Sequence, residues 1–133
     1  MERKAKILLV DDDVDFVEAT KIVLESKPYE VIVAYQGEEG LQKARKENPD
    51  LILLDVIMPV KDGFAAAEQF KKDPQLSKIP IIMLTSFSTR GAGTGIPRSR
   101  GAALEAEDYV EKPINPQELL RKVETYLKPR TRG

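Results

Sequence analysis

The sequence predicts an α/β fold of the doubly wound type, a parallel sheet with helices on both faces, and three observations carry that expectation. Short runs rich in Ile, Val and Leu recur at intervals of roughly 20 to 30 residues, and their lack of polar alternation is what strands covered on both sides look like. Each interval leaves room for one crossover helix, and right-handed crossovers then stack helices on either side of the sheet. At 133 residues the chain is near the commonest domain length, so a single core is expected.

The runs are Ile7 to Val10, Val31 to Ala34, Leu51 to Leu54, Ile79 to Leu84 (broken by Pro80), and the weaker Tyr109-Val110. The first helix, Val14 to Ser26, carries Phe16, Val17, Thr20, Val23 and Leu24 on one stripe and stops before Pro28. A second, Glu38 to Glu47, turns Leu41 and Ala44 inward and leaves through Asn48-Pro49. The third spans Phe64 to Lys72, with Ala65, Ala67 and Phe70 inward, and closes at Asp73-Pro74. In the last, Asn115 caps, Pro116 takes the first helical position and Glu118 completes a capping box. Leu119, Leu120, Val123 and Leu127 form its buried stripe.

Composition excludes several chemistries. With no Cys and no His, the chain has no disulfide framework, no thiolate site, and neither the commonest general base nor the commonest transition-metal ligand. Zinc enzymes and Ser/His or Cys/His hydrolases drop out. The 21 basic and 22 acidic residues leave a net charge of −1, against nucleic acid as a main partner. No apolar run is long enough for a membrane span, and Met1 to Lys6 does not open a signal sequence, so a cytoplasmic protein without a membrane partner is expected.

Open parallel sheets bind ligands at the carboxyl ends of their strands. Asp11-Asp12-Asp13 follow the first run, Asp55 the third, Thr85-Ser86 the fourth, and Glu111-Lys112 the fifth. Gathered on one edge, such carboxylates repel and require protons or a cation. A hard dication fits best, since Mg²⁺ takes one or two carboxylates, a carbonyl and waters, and commonly shares its shell with a phosphate. Phosphoryl chemistry is therefore expected.

Four ordered blocks carry a resemblance: ILLVDDD (residues 7–13), LILLDVIMPVKDGF (51–64), IIMLTS (81–86) and DYVEKP (108–113). Together they resemble the response-regulator receiver domain, the family of the chemotaxis Y protein, over about residues 4–127. The resemblance implies a flavodoxin-like five-stranded sheet of order 2-1-3-4-5 and one receiver domain over 1–133, with residues 128–133 as a basic tail. It implies a phosphorylation-dependent switch of two-component signalling, not an enzyme beyond its own phosphorylation and dephosphorylation. Asp55 would accept a phosphoryl group from a sensor histidine kinase or phosphotransfer protein, with Mg²⁺ (or Mn²⁺) as cofactor. Asp12, Asp55 and the main-chain carbonyl of Ile57 would bind the metal, and Asp11 would hold a metal-bound water. Lys112 would pair with Asp55 at rest and with the phosphate afterwards, Thr85 would reach the phosphate, and Tyr109 would turn inward with it. The Lys112-Pro113 bond is expected to be cis, and Gly63 supplies the turn into the third helix. Ile57 and Phe87 would border the path of the attacking water and set the rate of phosphate loss. Output to an effector protein or domain, or a dimer, would use the last strand and the helices flanking it.

Other classes fit less well. A haloacid-dehalogenase-type hydrolase wants an acid two places after the phosphosite, where Ile57 stands; a flavin mononucleotide carrier wants a Ser/Thr-rich loop where three Asp stand. A receiver used only for interaction would not need every chemical position filled. The chain departs from the family between Thr85 and Tyr109, where about five residues are extra. Residues 88–101 hold half of the 8 Gly, with Pro97, Arg90, Arg98 and Arg100 and no acid. Gly and Pro disfavour helix by about 1 and 3 kcal/mol per residue. A mobile loop is expected in place of most of the family's helix there, ordering on negative charge and setting partner choice.

Overall fold

The computed structural model describes residues 4–55, 63–86 and 108–131, and within these the side chains of 63–67, 85–86 and 128–131 fall outside the description. The elements are β1 (Ala5–Val10), α1 (Val14–Glu25), β2 (Tyr29–Ala34), α2 (Gly37–Glu47), β3 (Leu51–Asp55), α3 (Gly63–Lys72), β4 (Ile81–Ser86), β5 (Asp108–Lys112) and a last helix, α4 (Pro116–Thr131). All strand pairs are parallel, in the order β2-β1-β3-β4-β5. This is the doubly wound sheet the sequence predicts.

Strand alternation sorts the apolar side chains onto two faces. Leu8, Val10, Ile52, Leu54, Ile81 and Met83 pack against Leu41 and Ala44 of α2 and Phe70 of α3. Ile7, Leu9, Leu51, Leu53, Ile82 and Leu84 pack against Val17 and Leu24 of α1 and Leu119, Val123 and Leu127 of α4. Of the expected stripes, Phe16, Val23 and Leu120 are only partly buried.

Helix ends follow local chemistry. Asp13 caps α1, its carboxylate accepting the Phe16 amide at 3.1 Å. Asn48 ends α2 in the left-handed region at φ 56°, a conformation Asn tolerates better than most residues. Asn115 accepts the Glu118 amide at 3.0 Å, as the capping box predicts. Several element ends differ from expectation, and two of these differences fall at prolines. The fourth strand starts after Pro80, which has no N–H for the ladder although its carbonyl accepts from Ile52 at 3.0 Å. The last helix continues past Leu127 through Pro129 to Thr131, so four residues read as tail are its final turn.

Gly40 lets α2 lie directly on β1. A Cβ there would stand 2.9 Å from Cγ2 of the buried Val10, a separation that forces a shift in a β-branched side chain with one strongly preferred rotamer. Ala normally favours a helix over Gly by about 1 kcal/mol, whereas overpacking costs about 1 to 3 kcal/mol. Gly40→Ala is therefore expected to lower stability to urea in the wild-type background by about 1 kcal/mol and to raise it in a Val10→Ala background. An identical effect in both backgrounds would contradict this contact.

Candidate functional site

Three consecutive acids after β1 do three different things. Asp11, just past the end of β1, donates its amide to the Ala34 carbonyl at 3.0 Å, and its side chain is wholly buried. Asp12 is exposed at the rim, and Asp13 caps α1. Register places the end of β3 alongside, because Val10 pairs with Leu54 and the next residues are Asp11 and Asp55. Asp55 is 5% exposed. Carboxylate oxygens of Asp11, Asp12 and Asp55 lie within 4.8 Å of one another.

Lys112 closes the cluster from two strands away. It ends β5, opposite Ser86 of β4, and β4 in turn pairs with β3. Two strand spacings amount to about 10 Å, a span a long lysine stem bridges together with an Asp side chain. Its Nζ donates to Asp11 Oδ2 at 2.9 Å and to Asp55 Oδ1 at 3.3 Å. The other Asp11 oxygen accepts the Asp13 amide at 3.0 Å. The ammonium also stands 4.2 Å from the centroid of the Phe16 ring. The next peptide bond, Lys112-Pro113, is cis as expected.

These surroundings act on protonation. Burial pushes the Asp11 carboxyl above its ordinary value, against the Asp13 amide and Lys112, which pull it down. Burial pulls the Lys112 ammonium down, but its hydrogen bond to Asp11 and the charges of Asp11 and Asp55 outweigh that and raise it. Lys112 therefore stays charged. Among the described residues, three carboxylates face the Lys112 ammonium in a partly buried cleft, a donor set of hard oxygens that suits a dication.

Comparison with known proteins agrees with this geometry. The model of the response regulator receiver domain matches residues 7–124. The chain belongs to this family. It is 40% identical over 126 residues, 95% of its length, to the probable transcriptional regulator ycf27 of Pyropia yezoensis, and covers 49% of that protein. The chain thus spans about half the length of the curated relatives it first matches. Among solved structures, chemotaxis protein CheY4 of Vibrio cholerae superposes with a TM-score of 0.83 at 34% identity, covering 94% of this chain and all of that one. The receiver domain of sensor histidine kinase PA1611 from Pseudomonas aeruginosa, with magnesium coordinated in its active-site cleft, gives 0.82 at 27%, covering 95% and 99%.

In this receiver the sequence-predicted Asp11, Asp12, Asp55 and Lys112 come together. Lys112 is nearer to Asp11 than to Asp55, a closeness that strand-end reasoning did not foresee. Thr85 lies in β4 opposite Glu111, with its side chain outside the description. Tyr109 is half-buried against the α2–α3 face, and burial raises its hydroxyl pKa. Ile57, Phe87 and the segment 88–101 lie outside the described residues. Sequence reasoning assigned Phe16 to the packing stripe and missed its ring beneath the ammonium. The available signal was its place three residues after the capping Asp13, since helical side chains lean toward the N-terminus and here toward the strand ends.

Removing Lys112 leaves Asp11 buried without its cation. Breaking a buried pair costs about 3 to 5 kcal/mol, and the partial exposure of Lys112 lowers that to about 2 kcal/mol. Lys112→Met is expected to melt lower than wild type in chelator and to recover part of the loss in millimolar Mg²⁺, by calorimetry. Equal melting with and without Mg²⁺ would contradict the charge balance.

Proposed function

We propose that this chain is the phosphoryl-accepting switch of a two-component system, with Asp55 as acceptor. The observation that carries this reading is the Asp55 carboxylate at the sheet edge, 3.3 Å from the Lys112 ammonium and within reach of Asp11 and Asp12. A carboxylate needs no base to become a nucleophile, which suits a chain with no His. An Asp55 oxygen attacks the phosphorus of a phosphohistidine on the partner kinase or phosphotransfer protein. The new O–P bond forms as the P–N bond breaks, and the leaving imidazole takes a proton from solvent. Lys112, a compact point charge, then faces the added negative charge.

Asp12 and Asp55 would hold Mg²⁺ (or Mn²⁺) directly, with the Ile57 carbonyl. Asp11 would act through a water, a role supported by the donors already on both its oxygens. When bound, the dication offsets charge on the transferring phosphoryl group. Thr85 and Tyr109 would carry the change toward the surface of β5 and its flanking helices, for an effector protein or domain or for a second copy. Catalysis is confined to this protein's own phosphorylation and dephosphorylation. We read residues 1–133 as one receiver domain acting in the cytoplasm, without membrane or nucleic acid as a direct partner. Among the described residues no helix is long and apolar enough to cross a membrane.

Incubation with a small-molecule phosphodonor and Mg²⁺ is expected to add one acid-labile phosphoryl group by intact mass, and none in chelator or in Asp55→Asn. Unchanged labelling of Asp55→Asn would overturn the assignment. Ile57 and Phe87, both apolar, cannot orient a water by hydrogen bonding, so the phosphorylated form should decay slowly. Phe87→Glu or Ile57→Asn is expected to speed that decay by about tenfold or more, general-base help being worth about 10²-fold at its low end; unaltered decay in both would remove these positions from the account.

A further inference from the structure

The Phe16 ring has no role in the chemistry above, yet its face lies 4.2 Å from the Lys112 ammonium. We propose that Phe16 is a positioning residue for Lys112, its aromatic face holding the ammonium against Asp11 and Asp55 and so keeping it where charge develops on the phosphoryl group. This rests on the phosphoryl-accepting reading and adds a residue to it.

The placement is built in from several sides. Asp13 fixes the first turn of α1 by accepting the Phe16 amide, and Phe16 stands at the third position after that cap, where its side chain leans back toward the sheet edge. The ring is half-buried and packs on the apolar cluster shared by α1 and α4, so it cannot swing away without exposing that surface. The Lys112 side chain is 21% exposed, partly withdrawn from the water that would otherwise compete for its charge. Two carboxylates and a ring face surround Nζ. The carboxylates supply most of the attraction, but that attraction has little directional preference. The negative face of the ring adds a pull comparable to about a 2- to 30-fold change in an equilibrium constant, and its bulk restricts the stem to one approach. An aliphatic side chain of similar size would fill the space without the attraction.

The test is a double-mutant cycle on the phosphorylation rate, with the small-molecule phosphodonor in saturating Mg²⁺, on the full chain. Phe16→Leu is expected to slow labelling of Asp55 about 3- to 10-fold, while Phe16→Tyr, which keeps the ring face, stays within about twofold of wild type. In a Lys112→Met background Phe16→Leu is expected to change the remaining rate by less than about twofold, because a group acting only through the ammonium has nothing left to act on. The Lys112 side-chain protons should also lose their upfield ring-current shift in Phe16→Leu and keep it in Phe16→Tyr. Equal slowing by Phe16→Leu in both backgrounds, or a wild-type rate in Phe16→Leu, would overturn the proposal while leaving Asp55 as acceptor. A wild-type protein that takes up no phosphoryl group would instead sink the reading on which the proposal rests.

Discussion

Carboxylates crowded at one edge of a parallel sheet repel one another, and the Lys112 ammonium offsets that repulsion. The Asp11 side chain is wholly buried and Asp55 nearly so, which makes their charges costly without a partner. Lys112 reaches both from the end of β5, tying the edge strand of the sheet to its centre. The register of β1 on β3, the cap on α1 and the reach of β5 across β4 all serve to deliver these groups to one place. The same arrangement gathers three carboxylates, a set of hard oxygen donors that suits a dication.

Much of the fold was legible because parallel strands and crossover helices leave separate signals. Runs such as LILL in β3, buried on both faces, cannot belong to a half-solvated strand, and the two apolar clusters divide these residues by odd and even position. Asn48 and Asn115 marked their helix ends through chemistry that needs no tertiary context. Pro80 was misplaced because apolar character spans it while the hydrogen-bond ladder does not. The final turn of α4 was lost because Pro129 signals a break, although the three turns before it sustain the helix.

The candidate site was legible as a set of strand ends, which topology alone brings to one edge. Its internal pairing was not. Strand order says that Asp55 is nearer to β5 than Asp11 is, whereas the lysine lies 2.9 Å from Asp11 and 3.3 Å from Asp55. Phe16 carried the same difficulty, since an aromatic at helical spacing is read as packing and the direction of its ring appears only once α1 is capped and docked.

On the other side of β5, α4 makes a second set of ties. Lys122 donates to the Tyr109 carbonyl at 2.8 Å and to Asp108 at 3.2 Å, and the Tyr126 hydroxyl donates to Asp108 at 3.0 Å. These bonds hold the strand by its backbone and its start, while Lys112 holds it by its end. In the proposed function, new charge on Asp55 acts on a strand already fastened to a helix. The most direct test of the central claim is a calorimetric titration of the full chain with Mg²⁺. A single site is expected, weakened or lost in Asp12→Ala and in Asp55→Asn and tightened in Lys112→Met, where a competing cation is gone. Binding that is absent in wild type, or unaltered in all three variants, would contradict it.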